Sequence, residues 1–561
     1  MAKVKGAIMD RLGPLDALFV EAEDEDENTS MAIASIAVLE GPAPSQKEIR
    51  ELVESRLPLV PRYRQKLRTV PFRLGRPVWV DDPDFDLSYH VRRTLLREPG
   101  GDEQLAALMA QVMSQRLDRD HPLWEYWVVD GLAGDRWALI SKVHHSMVDG
   151  IGGADLYRLL TEVAPEPAQP PADSANSADE ETARTPSVVS LVAHAAVDMT
   201  LLPLRQARVL SGAVADPGGA IRQAATVTRA VARLSPSLWP AAESSLSGDI
   251  GKERRYAWAR ASLDDIKTIK RAFGGTVNDV VLAAISSGFR ALLLERGEPL
   301  APHEVPSLVP VSVRAQGDDG GFGNQVSATV ADLPVHIADP VERLGAVRAE
   351  LDSLKASNEA IIGQALAALG GYSPYMLASW LVRKAFSLPQ REIVTVTTNV
   401  PGPREPLYWM GCRLEEIIPY VPIASTVRTG ISIFSYDGNI TFGITADYAA
   451  NPDVDVLARG IEHGVSELLL AAEQHEASAP SRANRSRPAP HGNGSAPAKK
   501  AAPRKAAPAK AAPVKVAPVK AAPRKAAPAK AAPRKAAPRK AAPRKAAPRK
   551  AAPPRADGSA G

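Results

Sequence analysis

Proline recurs at every fifth position near the end of this 561-residue chain. Residues 501–550 form ten pentads of the type Ala-Ala-Pro-Arg-Lys, in which each proline removes a backbone donor and clashes with the preceding turn. The pentads carry almost no large apolar side chains, so they cannot bury a hydrophobic core. We therefore predict that residues 476–561 form a disordered, extended tail and that the fold is built from the residues before it.

The charge of the chain is divided between this tail and the rest. Residues 481–561 contain 22 Lys and Arg and one Asp, a net charge of +21, which leaves 46 basic and 63 acidic residues elsewhere. Regularly spaced cations on a disordered chain bind polyanions without sequence choice. We therefore predict that the tail binds one of three polyanions: an anionic membrane or lipid-droplet surface, nucleic acid, or a sulfated polymer. The acidic run at residues 21–27 of the same chain is a further candidate partner, to which the tail would bind and which it would then cover.

Cys412 is the single cysteine, so no intrachain disulfide is possible, which fits a reducing compartment. The N-terminal residues lack the apolar segment of a signal peptide, and no run of 18 apolar residues occurs. We expect a cytoplasmic protein that associates peripherally with a membrane or lipid droplets.

Strand-like and helix-like patterns alternate in two separate halves, which predicts an α/β or α+β fold. The predicted domains are a first half at residues 1–163, a linker with crossover helices at 164–253, a second half at 254–475 and the basic tail at 476–561. The linker is assigned because residues 164–186 are rich in Pro, Ala, Ser and acids.

The predicted elements follow from hydrophobic period and from capping residues such as Ser45 and Thr276. We predict strands at 31–40, 123–129, 137–144, 308–313, 326–333, 393–400, 430–436 and 440–447. We predict helices at 45–57, 102–117, 262–272, 276–294 and 454–472, with two more between 341 and 386.

Two adjacent histidines, His144 and His145, end one of these strands, and Asp149 and Gly150 follow. A neutral imidazole can accept a proton near neutral pH, so one buried histidine can activate a hydroxyl for attack on an acyl group. A thioester is already activated and requires neither a metal nor a covalent intermediate. Taken alone, the pair is equally compatible with a half-buried polar strand end, and Asp149 with an arginine-paired residue that fixes the loop.

The run from His144 to Gly150 resembles the His-His-x-x-x-Asp-Gly signature of the coenzyme A-dependent acyltransferase superfamily. Other segments, in the right order over roughly residues 8–472, are similar to the bacterial wax ester synthase/diacylglycerol acyltransferases within it. They are Leu12-Gly13-Pro14-Leu15-Asp16, Pro122-Leu123-Trp124-Glu125, Asn278-Asp279, Pro310-Val311-Ser312-Val313-Arg314 with Gly323-Asn324, and Thr398-Asn399-Val400-Pro401-Gly402-Pro403. In the last segment Thr398 replaces the serine of the family.

This resemblance implies two chloramphenicol-acetyltransferase-like halves with a channel between them. It implies that His145 is the general base, that His144 supports it and that acyl-CoA is a co-substrate, with no bound cofactor and no metal. We interpret Asp149 as structural support of the motif and Gly150 as a residue of the turn.

The remaining motif residues have structural alternatives. Asn278, Asp279 and Asn399 are candidate oxyanion or channel residues, but the first two also occupy the first turn of a predicted helix, where such side chains cap. Pro122, Leu123 and Trp124 are expected to support the motif by packing at the start of a strand.

The function implied is an acyl-CoA-dependent O-acyltransferase that makes triacylglycerol from diacylglycerol, or wax esters from long-chain alcohols. One alternative is a condensation-type or polyketide-associated acyltransferase. A second, from a different class, is a non-catalytic lipid-droplet or polyanion-binding protein that works through its tail.

Overall fold

The computed structural model describes residues 10–147, 161–163, 244–312, 326–356 and 393–478. Several predictions fall on segments outside these ranges. They are Asp149 and Gly150, residues 164–243 of the predicted linker and crossover helices at 164–253, the loop with Gly323 and Asn324, the second helix before 386, and the basic tail beyond 478. The tail was predicted from residue 476, but residues 476–478 are the end of a helix, Val454–Ser478.

The first sheet has six strands, and the histidine strand lies inside it. In spatial order they are β11 (Tyr408–Trp409), β12 (Cys412–Tyr420), β1 (Ala32–Glu40), β6 (Arg136–His144), β5 (Trp124–Leu132) and β4 (Val91–Leu95). All neighbours pair antiparallel except β4 and β5. Four helices accompany this sheet: α1 (Pro14–Glu25), α2 (Gln46–Arg56), α3 (Leu87–His90) and α4 (Asp102–Met113). A two-stranded ribbon, β2 (Gln65–Arg68) with β3 (Val78–Asp81), completes this half.

The second sheet also has six strands. Their spatial order is β7 (Arg254–Ser262), β14 (Asn439–Asp447), β13 (Thr429–Tyr436), β10 (Thr395–Pro401), β8 (Val305–Ser312) and β9 (Val326–Leu333). Strand β10 runs parallel to both of its neighbours, whereas the other pairs are antiparallel. The described residues of this half form helices α5 (Leu263–Phe273), α6 (Val277–Glu295), α7 (Pro340–Ala356) and α8 (Val454–Ser478). The mixed α/β class predicted from the alternating patterns is confirmed.

Strand β12 comes from the second half of the chain but pairs with β1 in the first sheet. Further contacts join the two sheets and the helices around them. The Tyr256 hydroxyl donates to the Pro419 carbonyl at 2.6 Å. The Arg260 guanidinium binds Glu416 at 2.8 Å and Asp102 at 2.5 Å. The first sheet, and with it the histidine strand, is therefore completed by residues more than 260 positions away in sequence.

The helix starts follow the capping residues read from the sequence. Ser45 and Glu48 form a reciprocal capping box at α2, and Thr276 forms one with Asp279 at α6. The Ser262 side chain accepts from two backbone amides of α5. Each cap satisfies amides that the first helical turn leaves unpaired.

Among the described residues, α6 is long and apolar enough to cross a membrane, with a mean hydropathy of 1.5, but 72% of it is buried inside the fold. It packs closely against α8, because Gly288 and Gly460 meet there. A Cβ at Gly460 would lie 2.8 Å from the Gly288 Cα. Helix α6 therefore forms the apolar centre of the second half.

Candidate active site

Strand β6 delivers the two histidines to their positions. His144 is the last residue of the strand, where it pairs with Ala32 of β1, and its amide donates to the Leu123 carbonyl at 2.9 Å. The chain then leaves the sheet in a 3₁₀ turn, His145–Met147. The His145 amide donates to the Met31 carbonyl at 3.0 Å, so its backbone is fixed by the residue that precedes β1.

His144 is almost completely buried, and its ring orientation is determined by its neighbours. The Ser146 amide donates to Nδ1 at 3.1 Å, and the Ser146 hydroxyl lies 2.7 Å from the same nitrogen. Because an amide can only donate, Nδ1 must accept and the proton of the neutral ring belongs on Nε2. That nitrogen lies 3.4 Å from Oε1 of Glu23.

Glu23 of α1 is the buried partner that the sequence did not reveal. Its carboxylate accepts from the Met31 amide at 2.7 Å and forms an ion pair with Arg119 at 3.0 Å. Burial raises the pKa of this carboxyl, but its contacts with His144, the Met31 amide and Arg119 together lower it to about 2. Glu23 is therefore ionised at neutral pH and connects both histidines, since Met31 also binds the His145 amide.

His145 lies in an apolar setting. Its ring stacks on Phe19 of α1, with ring centroids 4.1 Å apart, and its Nδ1 is buried. Burial lowers the pKa of His145, a hydrogen bond with its own backbone raises it, and the neighbouring His144 lowers it; the net pKa is about 4. The imidazole is consequently neutral at physiological pH, the form that can accept a proton.

The acidic run at residues 21–27, a candidate partner of the tail, is partly buried in the structure. Glu21 and Glu23 are buried, and Glu21 forms an ion pair with Arg73. Asp24 bonds both Arg73 and Arg119. Arginines of the same half therefore pair with these three carboxylates, whereas Glu25 and Glu27 are exposed. Pairing of the acidic run with the tail stays a prediction.

The Pro122-Leu123-Trp124 segment is packed beneath the histidine strand. The Leu123 carbonyl accepts the His144 amide, and Trp124 is fully buried, with Nε1 donating to the Tyr63 carbonyl at 2.8 Å. His90 stacks on the Trp124 ring and lies 2.8 Å from its carbonyl. The segment therefore holds one side of the strand that carries the histidines.

The structure brings two other predicted residues together. Nδ2 of Asn399, on β10, donates to Oδ1 of Asn278, at the start of α6, at 3.2 Å. Asp279 beside it is buried and caps α6, with Oδ2 accepting from the Thr276 amide at 2.6 Å. Within the described ranges, no hydrogen bond or ion pair joins the asparagine pair to the histidines. No group of three or more potential metal ligands is found in those ranges either.

Family models and known proteins match the chain over both halves. The model for the wax ester synthase/diacylglycerol acyltransferase catalytic domain matches residues 12–281, and the model for the C-terminal domain of the same family matches residues 322–469. The Mycobacterium tuberculosis (strain ATCC 25618 / H37Rv) protein described as "Probable diacyglycerol O-acyltransferase tgs1" is 40% identical over 468 residues, which cover 83% of this chain and 97% of that protein.

Solved structures agree with this assignment. The wax ester synthase/diacylglycerol acyltransferase from Marinobacter aquaeolei VT8 aligns with a TM-score of 0.57 and 25% identity, over 82% of this chain and all of that one. The first condensation domain of the calcium-dependent antibiotic synthetase aligns at 0.51 with 15% identity, over 83% and 97% of the two chains, which shows the fold alone. On the two matched domain models and the 40% identity, the chain belongs to the wax ester synthase/diacylglycerol acyltransferase family.

Proposed function

We propose that this enzyme transfers an acyl group from acyl-CoA to the hydroxyl of a lipid alcohol. Diacylglycerol is the proposed acceptor for triacylglycerol synthesis, and long-chain alcohols are the acceptors for wax esters. The observation that carries the proposal is the neutral, half-buried imidazole of His145, stacked on Phe19 at a strand end inside the matched catalytic domain.

His145 is the proposed general base, acting through Nε2 because its Nδ1 is buried. Nε2 takes the proton of the acceptor hydroxyl as the oxygen attacks the thioester carbonyl and forms the new C–O bond. The tetrahedral intermediate then collapses, the C–S bond breaks, and the proton passes from His145 to the departing thiolate. Ester and free CoA are the products, and no covalent acyl-enzyme is formed.

The oxyanion of the intermediate requires hydrogen-bond donors that are already in place. Asn278 and Asn399 are the candidates. Their mutual hydrogen bond uses one amide hydrogen of Asn399, which leaves its second hydrogen and both of Asn278 without a partner among the described residues. In this proposal Asp279 positions the pair by capping α6, and Asp149 and Gly150 support the histidine loop.

The pH dependence of kcat/KM reports the ionisation of the free enzyme. Because the pKa of His145 is lowered to about 4, the base is neutral above that value and protonated below it. We expect kcat/KM to be level at neutral pH and to fall with decreasing pH only near 4, well below the usual range for histidine. A fall centred near 6.5 would contradict a lowered pKa for this base.

Acceptor choice is tested by competition. The purified full chain is given palmitoyl-CoA with dioleoylglycerol and hexadecanol together, and the lipid products are separated and quantified. Formation of triacylglycerol, wax ester or both supports the proposal. Release of CoA without either ester would mean that water takes the acyl group, and it would contradict the proposal.

We further propose that the enzyme works in the cytoplasm at the surface of a membrane or lipid droplet, with the basic tail attracted to anionic lipid. Each basic residue near such a surface contributes about 1 kcal/mol at low ionic strength. Deletion of residues 482–561 should therefore remove most of the salt-sensitive binding to anionic vesicles. Unchanged binding with unchanged salt dependence would contradict a lipid role for the tail.

A further inference from the structure

The connection between β2 and β3, residues 69–77, presents a bare aromatic ring to solvent. We call it the Phe72 loop. Phe72 is 85% exposed, the highest value among the large apolar residues that the structure describes. A phenylalanine in water forgoes the free energy that its burial would provide, so the ring would gain free energy in contact with an apolar medium.

The backbone of the loop is built to hold this side chain outward. Phe72 and Arg73 both have a φ of 54°, a left-handed conformation that is unfavourable for residues with a Cβ. Two such residues in succession persist only where the surroundings fix them, and strain of this kind concentrates at binding sites.

The fixation comes from ion pairs and backbone contacts on either side of Phe72. Arg73 binds the buried carboxylate of Glu21 and lies 3.2 Å from Asp24, both on α1. At the far end of the loop, the Pro77 carbonyl accepts the Leu12 amide at 2.9 Å. The backbone on both sides of Phe72 is therefore held in place by contacts with α1 and with Leu12.

The charge of the loop indicates what covers it. The segment from Arg68 to Pro77 contains three arginines and no acid. Arg73 is paired with Glu21 and Asp24, and Arg76 donates to the Leu12 carbonyl, so Arg68 is the cation that the loop presents to solvent. Arg68, at the end of β2, is exposed four residues before Phe72. An exposed aromatic beside cations is the composition of segments that enter the boundary between headgroups and acyl chains of a lipid surface.

Helix α1 connects the loop to the histidines. Phe19, which stacks on His145, and Glu21, which binds Arg73, lie two residues apart on this helix. We propose that the Phe72 loop docks the enzyme on the lipid surface that supplies the acceptor alcohol, with Phe72 inserted among the lipids. This inference rests on the proposed function, because a lipid acceptor is what makes such a surface necessary.

The test is vesicle partitioning of the full chain carrying Phe72→Gly. Glycine suits the positive φ, so the variant should unfold at a temperature equal to or above that of the wild type. Vesicles of phosphatidylcholine with diacylglycerol, at high salt, minimise the contribution of the basic tail. We expect the partition coefficient of Phe72→Gly to be about tenfold lower than that of the wild type, because the apolar ring is lost. Phe72→Trp, which keeps an aromatic ring, should bind vesicles as the wild type does.

The matched control is Leu470→Ser in α8, because Leu470 is another exposed apolar side chain, 58% exposed. Serine is used here because glycine would disturb the helix. This control should bind vesicles as the wild type does. Unchanged partitioning of Phe72→Gly, equal losses in both variants, or a change of oligomeric state in Phe72→Gly alone would overturn the proposal. Vesicle partitioning is measured without turnover. If the wild type shows no acyl transfer but Phe72→Gly still lowers vesicle binding, the proposed function is refuted and the docking loop is not.

Discussion

Replacement of His145 by alanine should reduce kcat for acyl transfer by about 10²–10⁴-fold, the usual contribution of a general base. The imidazole is neutral and its backbone is fixed by the Met31 carbonyl, so the substitution removes a proton acceptor that is already in place. The KM for acyl-CoA should change little, because the proton acceptor contributes mainly to the transition state. Steady-state release of CoA in the presence of dioleoylglycerol measures both quantities.

His145→Gln is the second variant for this prediction, because its amide retains much of the volume beside Phe19 but is not basic. It should be as inactive as the alanine variant and closer to the wild type in thermal unfolding. Turnover within a few-fold of the wild type in both variants would exclude His145 as the base.

Replacement of Glu23 by alanine should have the largest effect on stability. The substitution removes the carboxylate shared by His144, Arg119 and the Met31 amide, and leaves buried groups without their partner. Loss of one member of a buried ion pair costs about 3–5 kcal/mol, and Arg119 keeps Asp24, so we expect the lower end of that range. Urea denaturation of the variant and the wild type measures the difference in the free energy of unfolding.

The pH dependence of this effect has a definite sign. The pKa of Glu23 is lowered from 4.5 to about 2, so its contribution to stability is present above pH 4.5 and is lost as pH falls from 4.5 towards 2. The difference in stability between the wild type and Glu23→Gln should shrink over that interval. Glu27→Gln is the matched control, because Glu27 is 78% exposed and pairs with Lys252 at the surface. A Glu23→Gln variant as stable as this control at neutral pH would contradict the buried role of Glu23.

The same variants should also separate positioning from proton transfer. Glu23→Gln keeps an acceptor for the Met31 amide but loses the charge opposite His144, so kcat should fall less than in His145→Ala. Because Glu23 acts on His145 through Met31 and His144, it is a positioning residue.

Local patterns were sufficient to find the histidine strand and its neighbour β1. Alternating or continuous apolar runs end where β1 and β6 end, and capping residues mark the starts of α2, α5 and α6. The ordered companion motifs then selected the family, because each has a fixed residue type and a fixed order along the chain.

Burial of the acidic helix α1 was not predictable in this way. A run of glutamates and aspartates has the composition of a solvated face, and the arginines that neutralise it, Arg73 and Arg119, lie about 50 and 95 positions further along. Strand β12 was missed for a related reason. Its burial follows no simple alternation, and its partner β1 lies at the opposite end of the folded chain. The burial of α1 and the pairing of β12 both depend on residues far away in sequence, so neither can be predicted from a short stretch of sequence.

The central claim is that His145 promotes direct attack of a lipid hydroxyl on the thioester. The most direct measurement is CoA release from palmitoyl-CoA by enzyme in stoichiometric amount, with and without dioleoylglycerol, for the wild type and His145→Ala. Direct attack predicts that the wild type releases CoA only when the alcohol is present and that the variant releases almost none in either case. One equivalent of CoA released by the wild type without alcohol, or equal release by the two proteins with it, would contradict the claim.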